Sequence, residues 1–274
     1  MKKKKLLLAA LATMLAIPIF AQKDEMGLWT ELEVEKKMNK RFDLSAGLDF
    51  RFNDNVGETS RWRVTLGGSY KLLDWLKTGV TYQCISDLSR GEVKEDYKKS
   101  NGKFNGYNVD EASRRDKHRF TYDLTGKWKV GRFSISLRER YQYTHTVAAD
   151  VDRVRYRDQA PGGYFGDAYN FGPYQWLTQE FAEDHKGHKN SHLLRSRFEV
   201  EYDIPNCKLT PSVSYELKSS LQDAMATDGA RVTAGVDWKL NKKQSVSVAY
   251  IFDDGHYGDD PNLHVVKIGY KYKF

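Results

Sequence analysis

After its first 20 residues the chain has no apolar run long enough to cross a bilayer as a helix, and its mean hydropathy is −0.69. That excludes a bundle of transmembrane helices, each of which needs about 20 consecutive apolar residues. A membrane barrel stays open, because in a spanning strand only every second residue has to face lipid. Cysteine is scarce, two in 274 residues, so a disulfide framework is excluded. Gln22, not a cysteine, follows Ala21, so no lipoprotein anchor is expected there. Proline is scarce as well, at six, which removes the usual interruptions of long strands. Runs of like charge are missing apart from Lys2 to Lys5, and the net charge of +7 is spread evenly along the chain. No nucleic-acid partner is therefore expected; the basic residues belong to solvated or luminal faces.

What is present starts with MKKKKLLLAALATMLAIPIFAQ: four lysines, an apolar stretch from Leu6 to Phe20, and a small residue at Ala21. This is the layout of a secretory signal, so residues 1–21 are expected to be removed and residues 22–274 exported.

From Gln22 onward a period of two recurs. In RFDLSAGLDFRF, Phe42, Leu44, Ala46, Leu48, Phe50 and Phe52 alternate with Arg41, Asp43, Ser45, Gly47, Asp49 and Arg51. Side chains of a strand alternate in this way between its faces. MGLWTELEVEK and RWRVTLGGSYKL read likewise, and further segments lie at 75–86, 118–130, 132–144, 193–204, 208–218, 229–240, 244–253 and 263–274. Each is close to the roughly 9–11 residues of a tilted membrane strand. The connections alternate between short (KMNK, LLD, VG, IPN, LNKK) and long (53–60, 87–117, 145–192, 219–228, 254–262). Aromatic residues on the apolar parity fall into two bands. Phe52, Trp62, Tyr82, Phe120, Tyr143, Tyr215 and Tyr250 lie near the long connections, and Tyr70, Trp128, Tyr202, Trp238 and Tyr272 near the short ones. These features predict an all-β fold, a transmembrane antiparallel up-and-down β-barrel of 10–12 strands in the outer membrane, with short periplasmic turns and long extracellular loops. Eleven segments are countable, whereas an even number is usual.

The last strand ends KIGYKYKF, with Ile268, Tyr270, Tyr272 and Phe274 on one face. Such an end resembles the insertion signal of outer-membrane barrels. The resemblance implies that Tyr270, Tyr272 and Phe274 are read by the barrel-assembly machinery, with outer-membrane lipid as the later partner. The front segment GLWTELEVEKKMNKRFDLSAGLDFRF and Arg-x-Arg strands such as RSRFEVEYD resemble the outer-membrane proteins of domain-of-unknown-function family 2490. The resemblance covers most of 24–274 and implies no reaction and no catalytic residue.

Several stretches carry candidate chemistry. HKGHKNSH offers His185, His188, Asn190, Ser191 and His192, which with Asp184 could serve a hydrolase or a transition metal, but no second segment supplies a partner. DDGHYGDDPN places Asp253, Asp254, Asp259 and Asp260 as oxygen ligands without a recognisable calcium spacing. APGGYFGDAYNFGPYQWLTQEF suits either a self-packed loop or a sugar-stacking constriction. Glu139 falls on the lipid parity, where an interface position or a bulge is expected. No enzyme activity, cofactor or metal is expected. Cys84 and Cys207 fall at opposite ends of strands and are expected to stay unpaired.

The inward parity carries the main candidate. Arg51, Arg61, Arg63, Arg119, Arg138, Arg140, Arg195, Arg197 and Arg231 gather near the long-connection ends, with Glu31, Asp49, Glu199 and Glu216 as their acids. Surplus arginine in a lumen attracts anions and grips carboxylate or phosphate with two prongs. The function expected is a narrow channel or binding barrel for small anionic or sugar-like solutes. Two alternatives stay open: a lumen plugged by salt bridges with binding by the long loops, and a lipid-active enzyme.

Overall fold

Period-two segments this long have one stable arrangement in lipid, a sheet closed on itself, since only closure pairs every backbone group. The computed structural model describes residues 25–53, 56–98, 100–157, 165–166, 170–171, 178–254 and 262–274. The expected signal segment 1–21, Asp259 and Asp260, and most of the aromatic stretch 160–181 lie outside these residues. The described residues contain no α-helix.

The strands are β1 Glu25–Lys37, β2 Phe42–Asn53, β3 Glu58–Lys71, β4 Leu76–Ser89, β5 Glu92–Tyr97, β6 Phe104–Asp110, β7 Ser113–Val130, β8 Phe133–Thr146 and β9 Ala149–Arg157. There follow β10 Phe165–Gly166, β11 Asn170–Phe171, β12 Thr178–Lys186, β13 Lys189–Tyr202, β14 Leu209–Ser220, β15 Thr227–Lys239, β16 Gln244–Asp253 and β17 Leu263–Lys273. Eleven of them close a barrel in the order β1-β17-β16-β15-β14-β13-β8-β7-β4-β3-β2. The odd count has a geometric consequence. A chain that runs up and down eleven times starts and finishes in the same direction, so β1 and β17 meet in parallel, in register from Glu25 opposite Leu263 to Glu35 opposite Lys273. Parallel pairing is slightly weaker per residue. Along this seam Lys271 meets Glu33 at 3.0 Å and also Glu35, Lys273 meets Glu35 at 3.7 Å, and Lys267 meets Glu31.

The barrel is polar inside and apolar outside, which a lipid surround requires. Leu66 is 56% exposed on the outer face, whereas Asp49 and Glu216 are each 3% exposed within. Trp62, Phe120 and Tyr215 stand exposed toward one end, Tyr70, Trp128 and Trp238 toward the other, as two aromatic bands. A small apolar cluster of Trp29, Ile251 and Val265 sits on the inner wall beside the seam. Glu139, on the outward parity, accepts a hydrogen bond from Ser196 at 2.6 Å on the neighbouring strand. Cys84 and Cys207 are free.

By contact the chain forms two units, the barrel and a second unit of Ser86–Lys117 and His145–Asn190. The connections 87–117 and 145–192, expected as loops, therefore carry strands of their own. The second unit holds a four-stranded sheet in the order β12-β9-β6-β5. Among the described residues, Tyr107, Val109, Val151 and Tyr156 are its buried hydrophobic side chains. Its close approach at Gly106 (φ +122°) admits no side chain, since a Cβ there would lie 1.8 Å from the Tyr156 carbonyl oxygen.

Candidate functional site

The charged layer inside the barrel is assembled from β1, β2, β3, β7, β8, β13, β14, β15 and β16, and strand parity decides which residues enter it. Asp49 receives Arg51 at 3.0 Å and Arg63 at 3.3 Å. Glu216 receives Arg138 at 2.8 Å and also Arg195, which reaches the Gln142 side-chain oxygen at 3.0 Å. Arg140 donates to Asp123 at 2.8 Å, and Arg197 lies 3.1 Å from Glu199. Arg231 and Lys218 share Asp253, the lysine at 2.7 Å. Arg119 donates to the Thr144 hydroxyl at 3.1 Å. Arg61 lies opposite Arg51 in the β2–β3 register.

Eight cations thus rest on five carboxylates, so every doubly used acid leaves positive charge over. The Nε–H groups of Arg63, Arg138, Arg195, Arg197 and Arg231 are buried without a hydrogen-bond acceptor, as is the Trp29 indole nitrogen. The Arg51 guanidinium lies 3.8 Å from the Trp29 ring centroid and that of Arg231 5.1 Å, a cation–π stack that fixes both side chains.

Most of the expected arginines are thereby placed in one layer with their acids. The exception among the acids is Glu31, which meets Lys267 at the seam. Asp123 and Asp253 were missed, and both were legible. Asp123 shares parity with Arg119, and Asp253 had been grouped with a calcium loop although it closes β16. The structure assigns Asp253 to the lumen, because the strand runs on to that residue. Trp29 was overlooked among the glutamates of its own face.

The histidine-rich stretch does not gather. His185 pairs with Asp150 at 2.7 Å, His188 stacks on His145 at 5.3 Å, and His192 shares a 2.7 Å hydrogen bond with the Tyr141 hydroxyl. No cluster of three metal-ligating side chains occurs among the described residues. Tyr270, Tyr272 and Phe274 lie at the final strand, with the rings of Tyr272 and Phe274 edge to face at 4.7 Å.

The second unit has an ion cluster of its own. Lys186 reaches Asp110 at 2.6 Å and Asp184 at 2.8 Å, while Arg153 reaches Asp110 at 3.0 Å and Asp184 at 2.6 Å. Burial by itself would raise the Asp110 carboxyl, but the hydrogen bonds and charges of Arg153 and Lys186 outweigh it and bring it down to about 2. The same contacts raise Arg153 and Lys186 above their ordinary values.

The sequence profile of a family described as "Protein of unknown function (DUF2490)" matches residues 26–262. No curated protein matches the chain by sequence. Among solved structures, the β-domain of the Bordetella autotransporter BrkA superposes with a TM-score of 0.50 at 10% identity, covering 87% of this chain and 86% of that one. The NanC porin gives a TM-score of 0.43 at 13% identity, covering 88% and 92%. The fold is that of outer-membrane β-barrels.

Proposed function

The chain belongs to the DUF2490 family, and from its outer-membrane barrel fold we propose that it is a narrow passage or binding barrel for small anions held by luminal arginine. The observation that carries this reading is the sharing of five carboxylates among eight cations. A charge inside a barrel must be paired or solvated, and among the described residues the carboxylates paired in this layer are fewer than its cations. Barrel width supports the same reading. About eight strands leave an interior that side chains fill, and roughly 16–18 leave an open aqueous channel. Eleven strands lie between, so a solute would pass close to the wall.

Arginine suits this role because its planar fork binds carboxylate or phosphate with two parallel hydrogen bonds. Anions carrying those groups, acidic sugars among them, are the solute class proposed. No reaction is assigned.

Single-channel recording of the pure protein in a planar bilayer under a salt gradient tests the proposal. Wild type should conduct weakly with a reversal potential on the anion side, and the double variant Arg138→Glu/Arg195→Glu should lose that preference. Zero conductance in both, with only a lower melting temperature in the variant, would mean that the shared ion pairs plug the lumen.

A further inference from the structure

The fold gathers basic residues from five separate turns at the short-turn end of the barrel, although the sequence spreads them evenly. The first short turn and the strand ends beside it expose Lys36, Lys37, Lys40 and Arg41. Lys71, Lys129 and Arg132 are exposed at the next two turns, and Lys208, Lys242 and Lys243 at the last two. The exposed acids within these five turns and the strand ends beside them are Asp74, which faces Lys71 at 2.6 Å, Asp203 and Asp237. The opposite rim differs. Among the described residues, the long connections at 56–57, 221–226, 254 and 262 contain no lysine or arginine and carry Asp223 and Asp254, whereas 87–117 and 145–192 carry both signs of charge, Lys94, Lys98 and Glu95 among them.

The cationic rim coincides with an aromatic band. Tyr70 precedes Lys71, Trp128 stands between Lys127 and Lys129, and Trp238 precedes Lys239, with all three rings exposed. Trp75 stacks on Trp128 at 5.8 Å, and Met38, Leu72 and Leu73 are exposed at the tips of the first two turns. Tryptophan and tyrosine on the outside of a barrel mark the headgroup level of the bilayer. Lys127, on the inward parity, is held by Glu201 at 2.7 Å, whereas Lys40, Arg132, Lys208, Lys242 and Lys243 are exposed at the turns that follow this band, where long cationic side chains reach the headgroups. A soluble polyanion would not require cations at the depth of a lipid-facing belt.

We propose that this rim is a binding surface for anionic phospholipid headgroups in the leaflet facing the short turns, which in outer-membrane barrels is the periplasmic one. The negative potential of such a leaflet acts on each nearby cation separately, and each contributes about a fivefold preference. Binding of this kind is screened: the Debye length falls from about 30 Å at 0.01 M salt to about 3 Å at 1 M.

The test places the full chain in bilayer discs of phosphatidylcholine with a minor share of phosphatidylglycerol and counts the lipids retained by native mass spectrometry. The expected result is at least about tenfold enrichment of phosphatidylglycerol at low salt, lost at 1 M salt. It should collapse in the Lys36→Gln/Lys37→Gln/Lys242→Gln/Lys243→Gln variant and persist in Glu58→Gln/Asp223→Asn at the other rim. Retention in proportion to the mixture, or an enrichment that the four-lysine variant or salt leaves unchanged, overturns the proposal. So does a soluble polyphosphate that stabilises the protein in neutral discs as strongly as phosphatidylglycerol does. Should the variant fail to insert, the salt series on wild type decides by itself.

Discussion

Glu216 is the residue on which the luminal layer turns, since it carries two guanidinium groups while 3% exposed. Removing one partner of a buried ion pair costs more than the pair contributes, because the remaining charge keeps its desolvation penalty. Glu216→Gln leaves both Arg138 and Arg195 without a counter-charge and should destabilise the barrel by about 3 kcal/mol, read as a lower temperature of unfolding in detergent. The same substitution adds net positive charge to the lumen. In the recording described above it should strengthen anion preference while stability falls, and a structural plug would show the stability loss alone.

At the scale of elements, the four-stranded sheet of the second unit is held laterally by charge as well as by its ladder. Asp110 on β6, Arg153 on β9, and Asp184 and Lys186 on β12 bridge three of its strands. The folded Asp110 value of about 2 lies below the ordinary 3.8, so this carboxylate adds stability that is fully present above pH 3.8 and lost as pH falls through 2. Lys186 acts in the opposite sense: its raised value gives stability that is present below the ordinary 10.5 and lost as pH rises through the raised value. Near-ultraviolet circular dichroism of the buried tyrosines Tyr107 and Tyr156 should stay flat across neutral pH and decay on the acid side of 3.8. Asp110→Asn should flatten that acid edge. An edge unchanged in the variant would assign the acid sensitivity to other carboxylates.

For the whole molecule, closure is the dominant physical fact. All eleven barrel strands have two neighbours, including β1 and β17 through their parallel seam, so no barrel strand presents a free edge. Such a barrel unfolds only when many ladders part together. The protein should therefore migrate as a compact band on an unheated detergent gel and shift to the position of the unfolded chain, below the 31.7 kDa of all 274 residues once 1–21 are removed, only after boiling. A single position with and without heating would contradict a closed barrel.

The sequence by itself determined the strand pattern, the outward apolar and inward polar faces, the two aromatic bands and the membership of most luminal residues. These depend on a period of two and on turn spacing, which are local properties that survive translation from chain to structure. It did not determine the parallel seam, since whether an eleventh strand pairs with the first is settled by closure. Nor did it determine the partners within the lumen: Asp253 turns to Arg231 and Lys218 only because β14, β15 and β16 lie side by side in the barrel. The strands inside 87–117 and 145–192 escaped because β6 finds its partners in β5 and β9, and the β9 contact spans some 50 residues of chain. The basic rim is the sharpest case. Its lysines and arginines stand in five separate turns that look like an even scatter along the sequence, and alternating strand direction brings all five to one end. Charge patterning along a chain records neighbours in sequence, whereas the field at a membrane is made by neighbours in space.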